Sequence, residues 1–138
     1  MSAPSIAYRL GNDLDLDTVI DVYRRSTLGE RRPVDDRERM GQMLAGANLV
    51  VSAWDGPRLV GIARSVSDFS FATYVADMAV DVDYQRQGIG RELLRRTQEA
   101  GGKASMFLFA APKAVDYYPR VGFKAGSGWM IGAKDPIR

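Results

Sequence analysis

The chain has 138 residues, 46% of them hydrophobic, a formal net charge of +2, no cysteine and no histidine. That length and apolar content suit one compact domain over residues 1–138, and the charge surplus is too small to imply nucleic-acid binding by itself. Without cysteine there is no disulfide, thiolate nucleophile or cysteine metal site, and without histidine the commonest base and metal ligand are missing. No metal is therefore expected, and Ser-His-Asp and Cys-His hydrolases are excluded.

The longest apolar runs are strand-length, so no membrane span is expected. The start, Met1-Ser2-Ala3-Pro4-Ser5, lacks the basic and apolar regions of a secretory signal, which makes a cytoplasmic protein the expectation. Ile6 to Leu10 reads as a strand. Leu16, Val19, Ile20 and Tyr23 then fall at helical spacing, with Asp13, Asp15 and Asp17 crowding the start, where carboxylates cap free N–H groups. Ser26 to Pro33 breaks the pattern and reads as a loop. Asp35 or Asp36 opens a second helix with Met40, Met43 and Leu44 facing inward.

Leu49–Trp54 and Leu59–Val66 are β-rich runs around the turn Asp55-Gly56-Pro57-Arg58. Phe71 to Val82 predicts a third long strand, and Gly88 to Ala100 a helix stopped by Gly101-Gly102. Met106–Phe109 reads as a buried strand, Ala114 to Val121 as a short helix, and Phe123 onward as a final strand or pair around Trp129-Met130-Ile131. The order β-α-α-β-β-β-α-β-α-β, with a βαβ unit from Phe71 to Phe109, predicts an α/β fold: a mixed central sheet with helices on both faces.

The most informative stretch is Val80 to Arg91, where a strand ends, a polar turn follows and Gly88 and Gly90 open a helix. Glycine lets backbone approach a ligand, and free N–H groups at a helix start favour a phosphate. A P-loop would need a Lys-Ser/Thr after its glycine spacing, which is absent. A Rossmann turn would need a third glycine where Leu93 stands.

Gln85-x-x-Gly88-x-Gly90, after Met78-Ala79-Val80 and before Leu93-Leu94, resembles the acetyl-CoA signature of the GCN5-related N-acetyltransferase (GNAT) superfamily. Ala114-Val115-Asp116-Tyr117-Tyr118-Pro119-Arg120-Val121-Gly122-Phe123 resembles that family's second block, and the element order matches over essentially the whole chain. The resemblance implies a GNAT fold. It also implies an acetyl-CoA-dependent N-acetyltransferase that moves an acetyl group to a primary amine, on a small molecule or a protein.

On that resemblance the backbone of Gln85, Arg86, Gln87, Gly88, Ile89, Gly90 and Arg91 holds the pyrophosphate of the co-substrate, and Met78 and Val80 pair with pantetheine. Tyr118 matches the tyrosine that can protonate the leaving thiolate. Asp77 lies beside the expected thioester, as a substrate or base residue or as a buried hydrogen-bonder. Glu30, Arg31 and Arg32 lie in the loop that roofs the acceptor site in relatives. Where many relatives carry an asparagine that bonds pantetheine, this chain has Ala111.

Two other function classes stay in view. One is a catalytically silent GNAT-like acyl-CoA sensor or interaction module, and the other, more distant, is a nucleic-acid-binding module. A homodimer is left open.

Overall fold

In the computed structural model, which describes residues 5–138, two compact units form, one ending at Leu108 and the other spanning Phe109–Arg138. Residues 1–4, most of the N-terminal stretch read above, lie outside the described residues.

The first unit is built on five strands in the order β1-β2-β3-β4-β5: Ile6–Leu10, Leu49–Asp55, Arg58–Ser67, Ala72–Val80 and Ser105–Phe107. The first four pair antiparallel and β5 joins β4 in parallel, so the sheet is mixed. Three helices accompany it: α1 (Leu16–Arg25), α2 (Arg37–Gly46) and α3 (Ile89–Ala100). A parallel neighbour requires a crossover, and α3 supplies it between β4 and β5.

Alternation along β2 and β3 sorts apolar side chains to two faces. Val50, Leu59 and Ile62 pack with Val19, Ile20, Val22 and Tyr23 of α1 and Met40 and Leu44 of α2. Val51, Ala53, Val60 and Ala63 pack with Ile89 and Leu93 of α3. Full burial of such a side chain is worth about 1.5–3 kcal/mol, so these two clusters fix which side of the sheet each helix covers. Gly61 permits the second contact: a Cβ there would lie 3.1 Å from Leu93 and 3.2 Å from Ile89.

Asp15 caps α1 by accepting from the Thr18 N–H, and Asp36 caps α2 by accepting from the Arg39 N–H. Between them the expected loop is tighter than its sequence suggests. Thr27–Arg31 form a 3-10 turn, capped by the Ser26 side chain accepting from the Leu28 N–H.

Two further expectations need correction. The run Met106–Phe109 is not a buried strand: β5 stops at Phe107, which is half-exposed, and Phe109 is exposed as well. The second unit holds a 3-10 turn at Pro112–Ala114 and a short helix α4 at Tyr117–Arg120. No strand forms among its residues from Phe123 on, and Trp129 and Met130 are almost fully exposed. An apolar run becomes a strand only where a partner edge meets it.

Candidate active site

The site begins with what β5 leaves unpaired. β3 pairs with β4 from Thr73 to Val80, but β5 reaches only Ala72, Thr73 and Tyr74. From Val75 to Val80 the β5 side of β4 has no strand neighbour among the described residues, and it presents an open backbone edge. Met78 and Val80, expected to pair with a ligand here, lie on this stretch and are half-buried. The register also shifts: Arg64 faces Asp77 and Ser65 faces Val75, which leaves Ala76 as a bulge.

The open edge runs into the glycine turn. After Val80 a 3-10 turn spans Val82–Tyr84, and the Gln85 side chain donates back to the Val80 carbonyl at 3.1 Å. Arg86 and Gly88 then take positive φ angles of 64° and 82°, and Gly88 N-caps α3 with no side-chain cap. Gln85, Arg86, Gln87, Gly88 and Arg91 are exposed, and Gly90 is half-buried. The Ile89 side chain is buried, so only its backbone can serve a ligand. A Cβ on Gly88 would meet nothing within 4 Å, so the space in front of the uncapped first turn is open. Uncapped N–H groups, the positive end of a helix dipole and a vacant approach fit a phosphate-bearing group.

Asp81 fastens the entrance of this turn. Its carboxylate is buried and accepts from Arg25 of α1, from Arg58 Nη2 at 3.1 Å and from the Asp83 N–H at 2.9 Å. Burial pushes the Asp81 carboxyl up, but the Asp83 N–H and the two arginines outweigh it and hold it below the usual range. Tyr84 adds a second tie by donating to Asp55 Oδ2 at 2.6 Å.

Asp77 sits on the face of β4 covered by α1 and α2, where the bulge turns it. Its carboxylate accepts from Tyr23 Oη at 2.6 Å, Arg64 Nε at 2.6 Å and Arg32 Nε at 2.5 Å. Burial raises this carboxyl too, yet the hydrogen bonds from Arg64 and Tyr23 and the charges of both arginines win, and it titrates below the usual range. These are the contacts of a buried hydrogen-bonder, and a depressed pKa makes a poor proton acceptor. Burial and the Asp77 charge push the Tyr23 phenol up, so it remains a donor. Arg32 also donates to the Ala76 carbonyl at 3.0 Å, which places its guanidinium at the bulge.

In the second unit Tyr118 stands on α4, half-buried. Its ring packs edge-to-face against Tyr117 and Phe123, with centroids 5.3 and 5.4 Å away.

Sequence reasoning missed Tyr23, Arg25, Arg58, Arg64 and Asp81 as parts of these networks. Their side-chain partners in these two networks lie 13 to 56 positions away, and no local pattern marks them.

Comparison with known proteins decides the family. The model of the acetyltransferase (GNAT) domain matches residues 23–128. The chain belongs to the GNAT acetyltransferase family. It is 37% identical over 71 residues to GCN5-related N-acetyltransferase 2, chloroplastic, of Arabidopsis thaliana, a match covering 49% of this chain and 28% of that protein. The match therefore spans less than a third of that curated relative's length. Among solved structures, a GNAT-family acetyltransferase from Streptococcus pneumoniae superposes with a TM-score of 0.75 at 24% identity, covering 95% of this chain and 100% of the other. An aminoglycoside N-acetyltransferase in complex with CoA superposes with a TM-score of 0.74 at 14% identity, covering 96% and 97%. These likenesses establish the α/β GNAT fold of the mixed sheet.

Proposed function

We propose that this chain is an acetyl-CoA-dependent N-acetyltransferase that passes the acetyl group directly to a primary amine while both substrates are bound. The observation that carries the reading is the open edge of β4 running into the uncapped N-terminus of α3 at Gly88. Family membership supports it, as does the fold shared with a neighbour described in complex with CoA.

In this reading the backbone of Gln85 to Arg91 binds the diphosphate and the edge at Met78 and Val80 aligns the pantetheine arm. The Arg86 and Arg91 side chains, both exposed, add charge at the rim. Acetyl-CoA supplies an acyl group already activated as a thioester. Tyr118 is assigned on its motif as the donor to the departing thiolate, and a thiolate needs only modest help to leave. Asp77 is assigned to holding Arg32 and Arg64 rather than to taking a proton. With cysteine and histidine absent, the thiolate and imidazole nucleophiles that most readily carry an acetyl group are missing, which favours direct transfer.

The test is a panel of small-molecule and peptide amines, following free CoA thiol released from acetyl-CoA. Amine-dependent thiol release supports the reading. Acetyl-CoA binding with no release against any amine would replace it with a silent acyl-CoA-binding module.

A further inference from the structure

Asp77 is one carboxylate shared by two guanidinium groups. Among the described residues it is the only acid paired with Arg32 or Arg64, and the third partner, Tyr23, is neutral. The cluster therefore holds a surplus of one positive charge. Arg64 is mostly covered, with 12% of its side chain exposed, while Arg32 reaches solvent with 25%. Arg32 spends Nε on Asp77, one Nη1 hydrogen on the Arg31 carbonyl and one Nη2 hydrogen on the Ala76 carbonyl. A guanidinium has five N–H groups, so two remain.

The place of this surplus matters. Ala76 lies four residues before Val80, roughly 13 Å along the strand at about 3.3 Å per residue. On the reading above, on which this inference rests, a diphosphate at the Gly88 turn and an arm along the β4 edge direct the acyl end toward that bulge. A simple ammonium arriving there meets a like charge, which opposes binding. An anion beside the amine would instead neutralise the surplus and pair with the free N–H groups, which suit carboxylate and phosphate oxygens.

We infer that the acceptor carries an anionic group, carboxylate or phosphate, close to its amine, and that Arg32 at the β4 bulge recognises it.

Matched acceptors test this: α-amino acids against their amides, and O-phosphoethanolamine against ethanolamine. The anionic member of at least one pair should show kcat/KM higher by about tenfold or more, since substrates are discriminated by that ratio. The pair that responds tells carboxylate from phosphate. Arg32→Gln should bring the ratio close to one, chiefly by raising KM for the anionic member. Arg32→Lys, which keeps charge but not the fork, should retain part of it. Circular dichroism identifies folded variants, and if the Gln variant does not fold, the wild-type ratio and the Lys variant decide. Neutral amines turned over as well as or better than their anionic partners overturn the inference and leave acetyl transfer standing. A folded Arg32→Gln variant with the wild-type ratio also overturns it. No turnover of any amine, with acetyl-CoA bound, removes both this inference and the transfer reading.

Discussion

The Tyr23 hydroxyl donates to Asp77 Oδ2 at 2.6 Å, joining α1 to β4 across 54 positions of sequence. Because Arg32 and Arg64 close on the same carboxylate, one buried side chain ties α1, the segment before α2, β3 and β4 together.

Asp77→Asn removes the charge that both arginines share. Breaking a buried pair by deleting one partner costs about 3–5 kcal/mol, so urea unfolding at pH 7 should show a loss of that order. The pH dependence has a defined sign. The folded carboxyl titrates below its unfolded value, so its contribution is complete above the ordinary aspartate range, about 3.9. It is lost as pH falls toward the depressed folded value. Wild-type stability should therefore fall more steeply than that of Asp77→Asn below about pH 4. Parallel acid limbs would show that Asp77 is not the linked group.

The face that Asp77 takes was not legible from the sequence, because alternation fixes faces only up to a register shift. The bulge at Ala76 is such a shift, and it depends on pairing with β3. By contrast α1 was legible throughout: its apolar positions recur at helical spacing and Asp15 caps it. The glycine turn was legible too, since Gly88 is required where φ reaches 82° in front of a helix. Met106–Phe109 and Trp129–Ile131 misled because an apolar run carries no record of whether a partner edge exists beside it. Arg25 and Arg58 were illegible for a related reason: each looks like an ordinary surface arginine until the fold brings it to Asp81.

Asp81→Asn tests whether the entrance of the turn is held ready for its ligand. The amide keeps the shape and can still accept from the Asp83 N–H, but it no longer pairs with Arg25 and Arg58. A loosened turn must be ordered on binding, which lowers affinity. Calorimetric titration should show acetyl-CoA binding weakened about tenfold. In steady-state kinetics KM for acetyl-CoA should rise more than kcat falls. A variant with a lower melting temperature but wild-type affinity would assign Asp81 to stability alone.

Gly88→Glu places a carboxylate in the open space before α3 and forces a side chain onto a positive φ. The backbone cost is about 1–2 kcal/mol, which leaves a domain of ordinary stability folded. Acetyl-CoA binding should be abolished. Gly88→Ala bears the same backbone cost without the charge and should bind more weakly than wild type but measurably. Wild-type affinity in a folded Gly88→Glu variant would show that the turn is not where the co-substrate binds.

Tyr118→Phe retains the ring that packs against Tyr117 and Phe123 while deleting the hydroxyl. General-acid help is typically worth about 10²–10⁴-fold, and a good leaving group puts the expectation near the lower bound. At saturating acceptor, kcat should fall about 100-fold while acetyl-CoA affinity stays near wild type, the mark of an interaction made in the transition state. An unchanged kcat would remove Tyr118 as the donor.

Initial rates measured over a grid of acetyl-CoA and amine concentrations, with mass spectrometry of both protein and product, test the central claim most directly. Direct transfer in a ternary complex predicts reciprocal plots that intersect, one N-acetylated product per CoA thiol released, and a chain whose mass stays unmodified at every stage. Parallel lines together with an acetylated form of the protein trapped before amine is added would contradict it.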